Sequence, residues 1–417
     1  MLKPILLAAL TLTATVSTAA PTRATLTGKV TDTTGKLLPN ATVMIYEAGV
    51  KQGYSTFCPS CYIDCGKRAT TDRTGAFTFT NLDPDLWFKL LVIRDGYTAT
   101  VLNKVNPAQQ PVATAALSRR APVNDPGRLV RGRVVDPTGR PLPAAVVMPK
   151  GVSTAEGSTY GTLDGLEPIA VTNERGEFEL ANSDPATGIL VEVQARGMAT
   201  KLIALPTGGD RKTITVSDGA IVRGRLVNHG KPVAGAEIGL IARERGGFGA
   251  NLKIIGNPYD EIRIGTQSDG SFVITNVPAS VDWYAYGKME SIASLGATQR
   301  LEFSTGREGL TQKEAVNLGD LDIRPGHRLA GKVTLSDGAP IPDGMRITLG
   351  SREAWDSQIV MIGRDGRFAF LGIPPGSYDI TPSVRGYSVQ GNDDLIAMTV
   401  DRDRDDLAIT LAPSARR

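Results

Sequence analysis

The sequence predicts an all-β protein, built as a tandem array of four antiparallel β-sandwich domains. The 417 residues include 46 glycines and 26 prolines but only 6% aromatic residues, which is typical of many short strands joined by turns. No long run places apolar residues at i, i+3, i+4 and i+7, as an amphipathic helix would. Two turn-centred signatures each occur four times, which indicates repeated domains.

The first signature is an alternating segment, a tight turn and a second alternating segment. Its clearest copy is GRVVDPTGRPLPAAVV, residues 132–147, where Asp136, Pro137 and Gly139 supply the turn. Asp bonds to the backbone two residues on, Pro presets φ, and Gly permits a positive φ. We therefore interpret each copy as a complete β-hairpin. The other copies begin at Gly28, Gly224 and Gly331.

The second signature follows each copy of the first and is centred on a glycine. A phenylalanine lies two residues after each glycine, and a further apolar residue lies four after it. This period of two predicts a strand, and we interpret these segments as hairpins as well. The four copies are TDRTGAFTF at Gly75, TNERGEFEL at Gly176, TQSDGSFVI at Gly270 and IGRDGRFAF at Gly366.

The N-terminus predicts an extracytoplasmic protein, either periplasmic or secreted. Lys3, an apolar stretch and small residues ending at Ala19 or Ala20 are typical of a cleavable secretory signal, and threonines dilute the stretch too much for a membrane anchor. No membrane insertion is expected after cleavage. The predicted organisation is a signal peptide over 1–20, sandwich 1 with a cysteine-containing insertion over 21–121, a linker over 122–128, sandwich 2 over 129–217, sandwich 3 over 218–323, sandwich 4 over 324–413 and a tail over 414–417.

Two further patterns concern how the domains are arranged. In LWFKLLVI, residues 86–93, apolar residues occupy both faces of one strand, which predicts a strand covered on both sides. The connections between domains 2, 3 and 4 are short, and Arg-Pro-Gly at 324–326 is stiff. We therefore expect an extended rod with the domains end to end.

Together with the G-x-Y strand of GSYDITPSVRGY, the two signatures resemble the carboxypeptidase regulatory-like domain over essentially the whole mature chain. The resemblance implies a transthyretin-like (prealbumin-like) sandwich of about seven strands, related to Cna B-type repeats and to carbohydrate-binding-like sandwiches. It is weakest in the third unit, where Asn228 replaces the turn Asp. It does not define a function, because such sandwiches serve as spacers, adhesion modules, sugar binders and accessory domains.

The residue inventory argues against an enzyme. A zinc carboxypeptidase needs two His and a Glu as ligands, whereas this chain has two His in all, His229 and His327, and neither has an HxxE partner. There is no G-x-S-x-G for a serine nucleophile. The net charge of +3 without basic and aromatic clusters excludes nucleic acid as the expected partner. We predict no catalytic residues and no cofactor.

All three cysteines, Cys58, Cys61 and Cys65, lie in FCPSCYIDCGK between the two signatures of domain 1. In an oxidising compartment two of them are expected to form a disulfide, which leaves a free thiol or an intermolecular bridge that makes a disulfide-linked dimer. Three thiolates also suit a soft metal such as Cu(I) or Zn, with Asp64 nearby. Redox or regulatory chemistry is the third alternative.

Aromatic residues suggest a binding surface. In DWYAYGKM, Trp283 lies on one face of a strand and Tyr284 and Tyr286 on the other, so one set is exposed unless a loop covers it; Trp355 lies in a domain 4 loop. Exposed rings suit stacking on sugars. We predict a secreted, non-catalytic binding or spacer module. The alternatives are a carbohydrate-binding protein and an accessory subunit of an extracytoplasmic enzyme or transporter. The expected partner is a protein or a glycan.

Overall fold

The computed structural model describes residues 23–161, 164–243, 260–306, 315–389 and 395–414. Within these ranges, eight β-sheets form four two-layer sandwiches, which confirms the all-β prediction. The predicted signal peptide, 1–20, and all but the first residue of the predicted tail lie outside the described residues. In the ranges described, no helix has the length and apolarity to span a membrane.

Domain 1 packs a three-stranded sheet on a four-stranded sheet. Its strands are β1 (Ala24–Asp32), β2 (Thr42–Val50), β3 (Arg68–Thr70), β4 (Ala76–Leu82), β5 (Leu86–Ile93), β6 (Thr100–Val105) and β7 (Val112–Leu117). The sheets have the orders β4-β1-β7 and β3-β2-β5-β6. Inward-facing side chains of both sheets, such as Leu26, Phe77 and Val43, form one core.

Domain 2 repeats this plan after a one-turn 3₁₀ helix over Pro126–Arg128 in the predicted linker. Its strands are β8 (Leu129–Val135), β9 (Val146–Ser153), β10 (Ser158–Tyr160), β11 (Ala170–Val171), β12 (Glu177–Ala181), β13 (Gly188–Gln194), β14 (Lys201–Pro206) and β15 (Lys212–Thr215). One sheet has the order β12-β8-β15, and the other has β10-β9-β13-β14 with β11 paired to β9.

Domain 3 adds a short helix to the same plan. Its elements are β16 (Ala220–Asn228), β17 (Lys231–Pro232), β18 (Glu237–Ala242), β19 (Ile262–Gly265), β20 (Ser271–Val277), β21 (Asp282–Gly287), α1 (Met289–Ile292), β22 (Ala297–Thr298), β23 (Leu301–Ser304) and β24 (Ala315–Arg324). One sheet has the order β17-β16-β24-β22 with β20 paired to β16, and the other has β19-β18-β21-β23.

Domain 4 consists of two four-stranded sheets. Its strands are β25 (His327–Leu335), β26 (Arg346–Ser351), β27 (Ser357–Met361), β28 (Arg367–Ile373), β29 (Gly376–Ser383), β30 (Tyr387–Val389), β31 (Ile396–Val400) and β32 (Arg404–Pro413). The orders are β28-β25-β32-β30 and β27-β26-β29-β31. In all four domains the first strand runs parallel to the last, as β1 does to β7 and β25 to β32.

The interpretation of each signature as a complete hairpin is wrong, although the turn at His229 and Gly230 in domain 3 closes a short hairpin of β16 with β17. In the first signature, β8 and β9 belong to different sheets, and Val135 and Pro141 form only an isolated bridge. In the second, β11 and β12 also lie in different sheets. Each signature is an arch from one layer of the sandwich to the other. The alternation of apolar and polar residues specifies a strand with one buried face. The same alternation occurs whether the next strand joins that sheet or the opposite sheet of the sandwich.

The turn residues have the predicted roles within these arches. Asp136 accepts hydrogen bonds at Oδ1 from Thr138 N at 2.9 Å, from the Thr138 hydroxyl at 2.6 Å and from Arg140 N at 3.0 Å. The bond from the Thr138 hydroxyl is the main cause that lowers the pKa of Asp136. In domain 3, where Asn228 replaces the Asp, His229 and Gly230 reverse the chain with φ of 50° and 72°.

A buried threonine joins the two arches in three of the domains. In domain 2, the Thr172 hydroxyl accepts from Ala145 N at 2.8 Å and donates to Leu142 O at 2.6 Å. It thereby satisfies two backbone groups of the proline-rich arch that no strand partner reaches. Thr71 and Thr266 make the equivalent pairs of bonds, and the buried Ile362 takes this position in domain 4.

Domains 1 and 2 pack face to face through the outer surfaces of two sheets. Met44 and Leu91 of domain 1 form a buried apolar cluster with Val146 and Ile169 of domain 2. Leu91 is fully buried, so the double-sided coverage predicted for β5 is confirmed, with domain 2 as the second cover. The prediction of domains arranged end to end is wrong for this pair, because the second apolar face of β5 requires lateral packing.

We expect Gly176→Val to destabilise domain 2 strongly, because Gly176 has a φ of 73° and an added Cβ would lie 2.4 Å from Val134 O. Gly139→Val is the matched control, since Gly139 has a φ of 83° but no atom within 4 Å of an added Cβ. The expected losses in the free energy of unfolding are at least about 3 kcal/mol for Gly176→Val and about 1–2 kcal/mol for the control. Urea unfolding of the full chain measures both, and equal losses would contradict the close contact.

Candidate functional site

The cysteine-containing insertion between β2 and β3 is the feature that distinguishes domain 1 from the other domains. Its backbone is tied to β2, because Ala48 N donates to Pro59 O at 2.8 Å and Gly66 N donates to Ile45 O at 2.7 Å. The insertion is therefore held against its own sandwich at two points. Its remaining contacts extend to domains 2 and 3.

Cys58 and Cys61 form a disulfide, and Cys65 is a free thiol. Cys65 is 3% exposed and packs in the core of domain 1. Burial raises the pKa of its thiol to about 11. Among the described residues no exposed free thiol is present, so Cys65 is poorly placed to form the predicted disulfide-linked dimer.

The three cysteines do not form a thiolate metal site, because two sulfurs are bonded to each other. Within the part of the chain that the structure describes, no group of three or more His, Cys, Asp or Glu residues is arranged to hold a metal ion. Asp64, predicted to lie beside such a metal, instead lies buried within 2.6 Å of Lys67 Nζ and 3.4 Å of Arg23 Nη2. It also accepts from Asp83 N at 2.9 Å, so it anchors the insertion to the turn before β5.

The insertion reaches both neighbouring domains. Ser55 O accepts a hydrogen bond from Gly265 N of domain 3 at 2.6 Å. Toward domain 2, Ser60 O lies 3.5 Å from Arg196 Nε, and the Arg196 guanidinium covers Gly66. The insertion thus contacts all three of the first domains.

Domains 1, 2 and 3 meet around a cleft of about 350 Å³. Cys58 lines it from domain 1, Glu192 and Arg196 from domain 2, and Glu261 from domain 3. Its charged groups pair with protein groups across the junctions. Lys150 Nζ of domain 2 lies 2.8 Å from Glu192 Oε2 and 3.2 Å from Asp260 Oδ2 of domain 3.

The predicted sugar-stacking residues are not exposed together. Trp283 is fully buried in the core of domain 3 and Tyr286 is 2% exposed, so the prediction of solvent-facing rings is wrong for these two. Tyr284 is partly buried in a cluster that includes Ala354 of domain 4. The second face of β21 is therefore covered by the next domain. Trp355 is 52% exposed.

A buried charge cluster, which sequence reasoning missed, joins domains 3 and 4. Lys288 Nζ lies 2.8 Å from Glu261 Oε1 and 3.4 Å from Asp356 Oδ1, and it donates to Trp355 O at 2.6 Å. The side chains of Lys288, Glu261 and Asp356 are each no more than 7% exposed. No sequence signal marks this cluster, because Asp356 comes from a different domain.

The carboxylates of this cluster have several partners each. Glu261 also accepts from Arg263 Nε at 2.6 Å and from the Tyr286 hydroxyl. Asp356 accepts from Met289 N, the first residue of α1, at 3.2 Å. Burial is the main cause that raises the pKa of Asp356 to about 6, against the opposing effect of Lys288.

Comparison with known proteins identifies the class of the first sandwich. Residues 25–118 match the family described as the carboxypeptidase regulatory-like domain. The match confirms the family resemblance for the residues of the first sandwich. The other three sandwiches share the order of its seven strands and add short strands at the sheet edges. No curated protein sequence matches the chain.

Several solved structures of β-domain proteins are similar at low identity. The Bacillus anthracis TIE protein is 10% identical, with 96% of this chain and 76% of that chain covered and a TM-score of 0.19. A streptococcal ancillary pilin is 13% identical, with 69% and 99% covered and a TM-score of 0.23. GBS52, the minor pilin of Streptococcus agalactiae, is 11% identical, with 47% and 97% covered and a TM-score of 0.22. Similarities at this level support no inference about arrangement or function.

We expect the Asp356 carboxyl to make stability depend on pH between about 4 and 6. Its pKa is raised from 3.8 to about 6 in the folded protein, so folding favours the protonated form. The associated stability is fully present below pH 4 and is lost as the pH rises to about 6, by up to roughly 3 kcal/mol. Urea unfolding of the full chain at several pH values measures the change.

Asp356→Asn is the control for this prediction, because it keeps the shape of the side chain and removes the titration. The difference in free energy of unfolding between the wild type and Asp356→Asn should change across pH 4 to 6 in the stated direction. Parallel pH profiles for the two proteins would contradict the raised pKa.

Proposed function

We propose that the protein is an extracytoplasmic, non-catalytic scaffold whose four β-sandwiches hold a binding surface at a fixed position and orientation. The observation that carries this proposal is the burial at the junctions between domains. Flexibly tethered domains expose the groups at their junctions, whereas here both an apolar cluster and a charge cluster are buried between domains.

The first junction supports a permanent contact between domains 1 and 2. Met44, Tyr46 and Leu91 are each no more than 7% exposed although they lie on the outer face of their own sandwich. The Tyr46 hydroxyl also lies 3.3 Å from Gln194 Oε1 of domain 2. Separation would expose these side chains to water, which costs free energy in proportion to their apolar area.

Two features support a location outside the cytoplasm. The Cys58–Cys61 disulfide suits an oxidising compartment, since cytosolic thiols are kept reduced. The N-terminal segment 1–20 has the pattern of a secretory signal. The partner that the scaffold presents or binds is proposed to be a protein or a glycan.

The scaffold proposal predicts that Met44→Glu detaches domain 1 from domain 2. A carboxylate at position 44 is forced into the apolar junction between the two domains. The core of domain 1 lies on the other face of β2 and is not altered. The radius of gyration from solution scattering should rise by on the order of 3–5 Å. Met361→Glu is the matched control, because Met361 is 60% exposed.

The wild-type scattering curve should match one fixed arrangement of the four domains. The scaffold proposal would be wrong if the curve required freely moving domains. It would also be wrong if wild type and Met44→Glu had the same radius of gyration. Circular dichroism of both variants checks that the sandwiches remain folded.

Carbohydrate binding is a second candidate, favoured by the exposed ring of Trp355. If the ring stacks on a sugar, Trp355→Ala should weaken binding on a glycan array by about 1–3 kcal/mol, while Trp355→Phe should retain most of it. Absence of any glycan bound by the wild type, or equal binding by Trp355→Ala, would exclude this role for Trp355.

A further inference from the structure

The Cys58–Cys61 disulfide is poorly suited to a purely stabilising role. It joins residues three apart in the sequence, so it closes a very short loop and removes little conformational entropy from the unfolded chain. The ion pair of Asp64 with Arg23, its hydrogen bond from Asp83 N and the bonds to β2 already hold the insertion to domain 1. The disulfide therefore calls for another explanation.

The disulfide is accessible from solvent and has an apolar rim. Cys61 is an exposed residue, and the flanking Phe57 and Ile63 are 60% and 85% exposed. These two apolar side chains flank the disulfide and are available to contact a protein that approaches it. Cys61 is the more exposed residue of the two, since Cys58 is partly covered and lines the cleft.

The third cysteine does not compete for this disulfide. Cys65 lies in the domain core, where its thiol lies 3.4 Å from Pro59 O as a hydrogen-bond donor. Burial raises its pKa to about 11, so almost none of it is the nucleophilic thiolate at neutral pH. Reduction of the disulfide thus needs an external thiol.

The disulfide is also connected to the contact between domains 1 and 3. It closes residues 58–61, directly before Tyr62. The Tyr62 hydroxyl bonds to the Ser55 hydroxyl, and its ring packs edge-on against Phe57 with centroids 5.6 Å apart. Ser55 O in turn accepts from Gly265 N of domain 3. The position of Tyr62 therefore influences the segment that docks on domain 3.

We propose that Cys58–Cys61 is a thiol–disulfide exchange site for a protein dithiol, and that its reduction releases the insertion from domain 3. One thiolate of the dithiol bonds to Cys61 Sγ as the sulfur–sulfur bond breaks and its electron pair leaves on Cys58 Sγ. The second thiolate then attacks the mixed disulfide and expels the thiolate of Cys61. The dithiol loses two electrons and two protons, and Cys58 and Cys61 gain them as two thiols.

Ser60 is a positioning residue for the first step. Its hydroxyl lies 3.7 Å from Cys58 Sγ, where it donates to the departing thiolate. A leaving thiolate that accepts a hydrogen bond departs faster. The same residue supplies the carbonyl that faces Arg196 of domain 2, so the exchange site lies against the junction of the domains.

The test uses the full chain and dithiothreitol as the probe, under native conditions. One dithiothreitol molecule should be oxidised per chain. Alkylation followed by mass spectrometry should find Cys58 and Cys61 labelled and Cys65 unlabelled. Hydrogen exchange of the peptide that contains Gly265 should become at least about tenfold faster, because its amide loses Ser55 O. Resistance to dithiothreitol until urea unfolds the chain would overturn the exchange site.

Variants separate the two parts of the proposal. The double variant Cys58→Ser/Cys61→Ser should reproduce the fast exchange at Gly265 without any reductant, and unchanged exchange there would overturn the release from domain 3. Ser60→Ala should slow reduction by about threefold to tenfold, with Thr56→Val as a control that removes another hydroxyl from the insertion. Equal reduction rates for Ser60→Ala and the wild type would overturn the assigned role of Ser60.

Discussion

Strand β5 has apolar side chains on both faces, and this constraint determines which domains must assemble together. Phe88 and Leu90 face the core of domain 1, whereas Leu91 on the opposite face needs a second cover. Exposure of Leu91 to water is unfavourable, because burial of a leucine side chain stabilises the folded state by about 1.5–3 kcal/mol. Domain 2 supplies the cover, and in this lateral arrangement the insertion of domain 1 contacts Gly265 of domain 3. The cleft among the three domains follows from the same arrangement.

The junction between domains 3 and 4 combines apolar packing, in which Tyr284 and Tyr286 meet Ala354, with a buried charge cluster. Lys288, Glu261 and Asp356 are almost fully buried, and a buried charge without a partner is strongly unfavourable. The cluster therefore tolerates few arrangements, because any rotation of domain 4 that removes Asp356 also removes Trp355 O from Lys288. Such a cluster contributes little net stability over an apolar contact, but it discriminates against other orientations. At this junction the apolar packing supplies affinity, and the charge cluster favours one orientation.

The strands and turns could be predicted from the sequence because their signals are local. Alternation marks the strands, and a φ of 73° explains why glycine occupies position 176. The assignment of strands to sheets could not be predicted, because β8 and β9 alternate in the same way whether they pair or cross between layers. The burial of Trp283 and the partnership of Lys288 with Asp356 depend on contacts across the fold or between domains. Patterns in a single sequence do not reveal such contacts. The spacing of the three cysteines likewise did not determine which two form the disulfide.

The two junctions differ in the conditions that affect them. The side chains of Met44, Leu91 and Ile169 do not titrate, so the apolar cluster between domains 1 and 2 does not itself respond to pH. The cluster around Asp356 does titrate, so pH acts on the contact between domains 3 and 4. The proposed exchange at Cys58–Cys61 would act on a third contact, between domains 1 and 3. Because the Asp356 cluster and the Cys58–Cys61 disulfide lie at different junctions, pH and reduction act on different contacts.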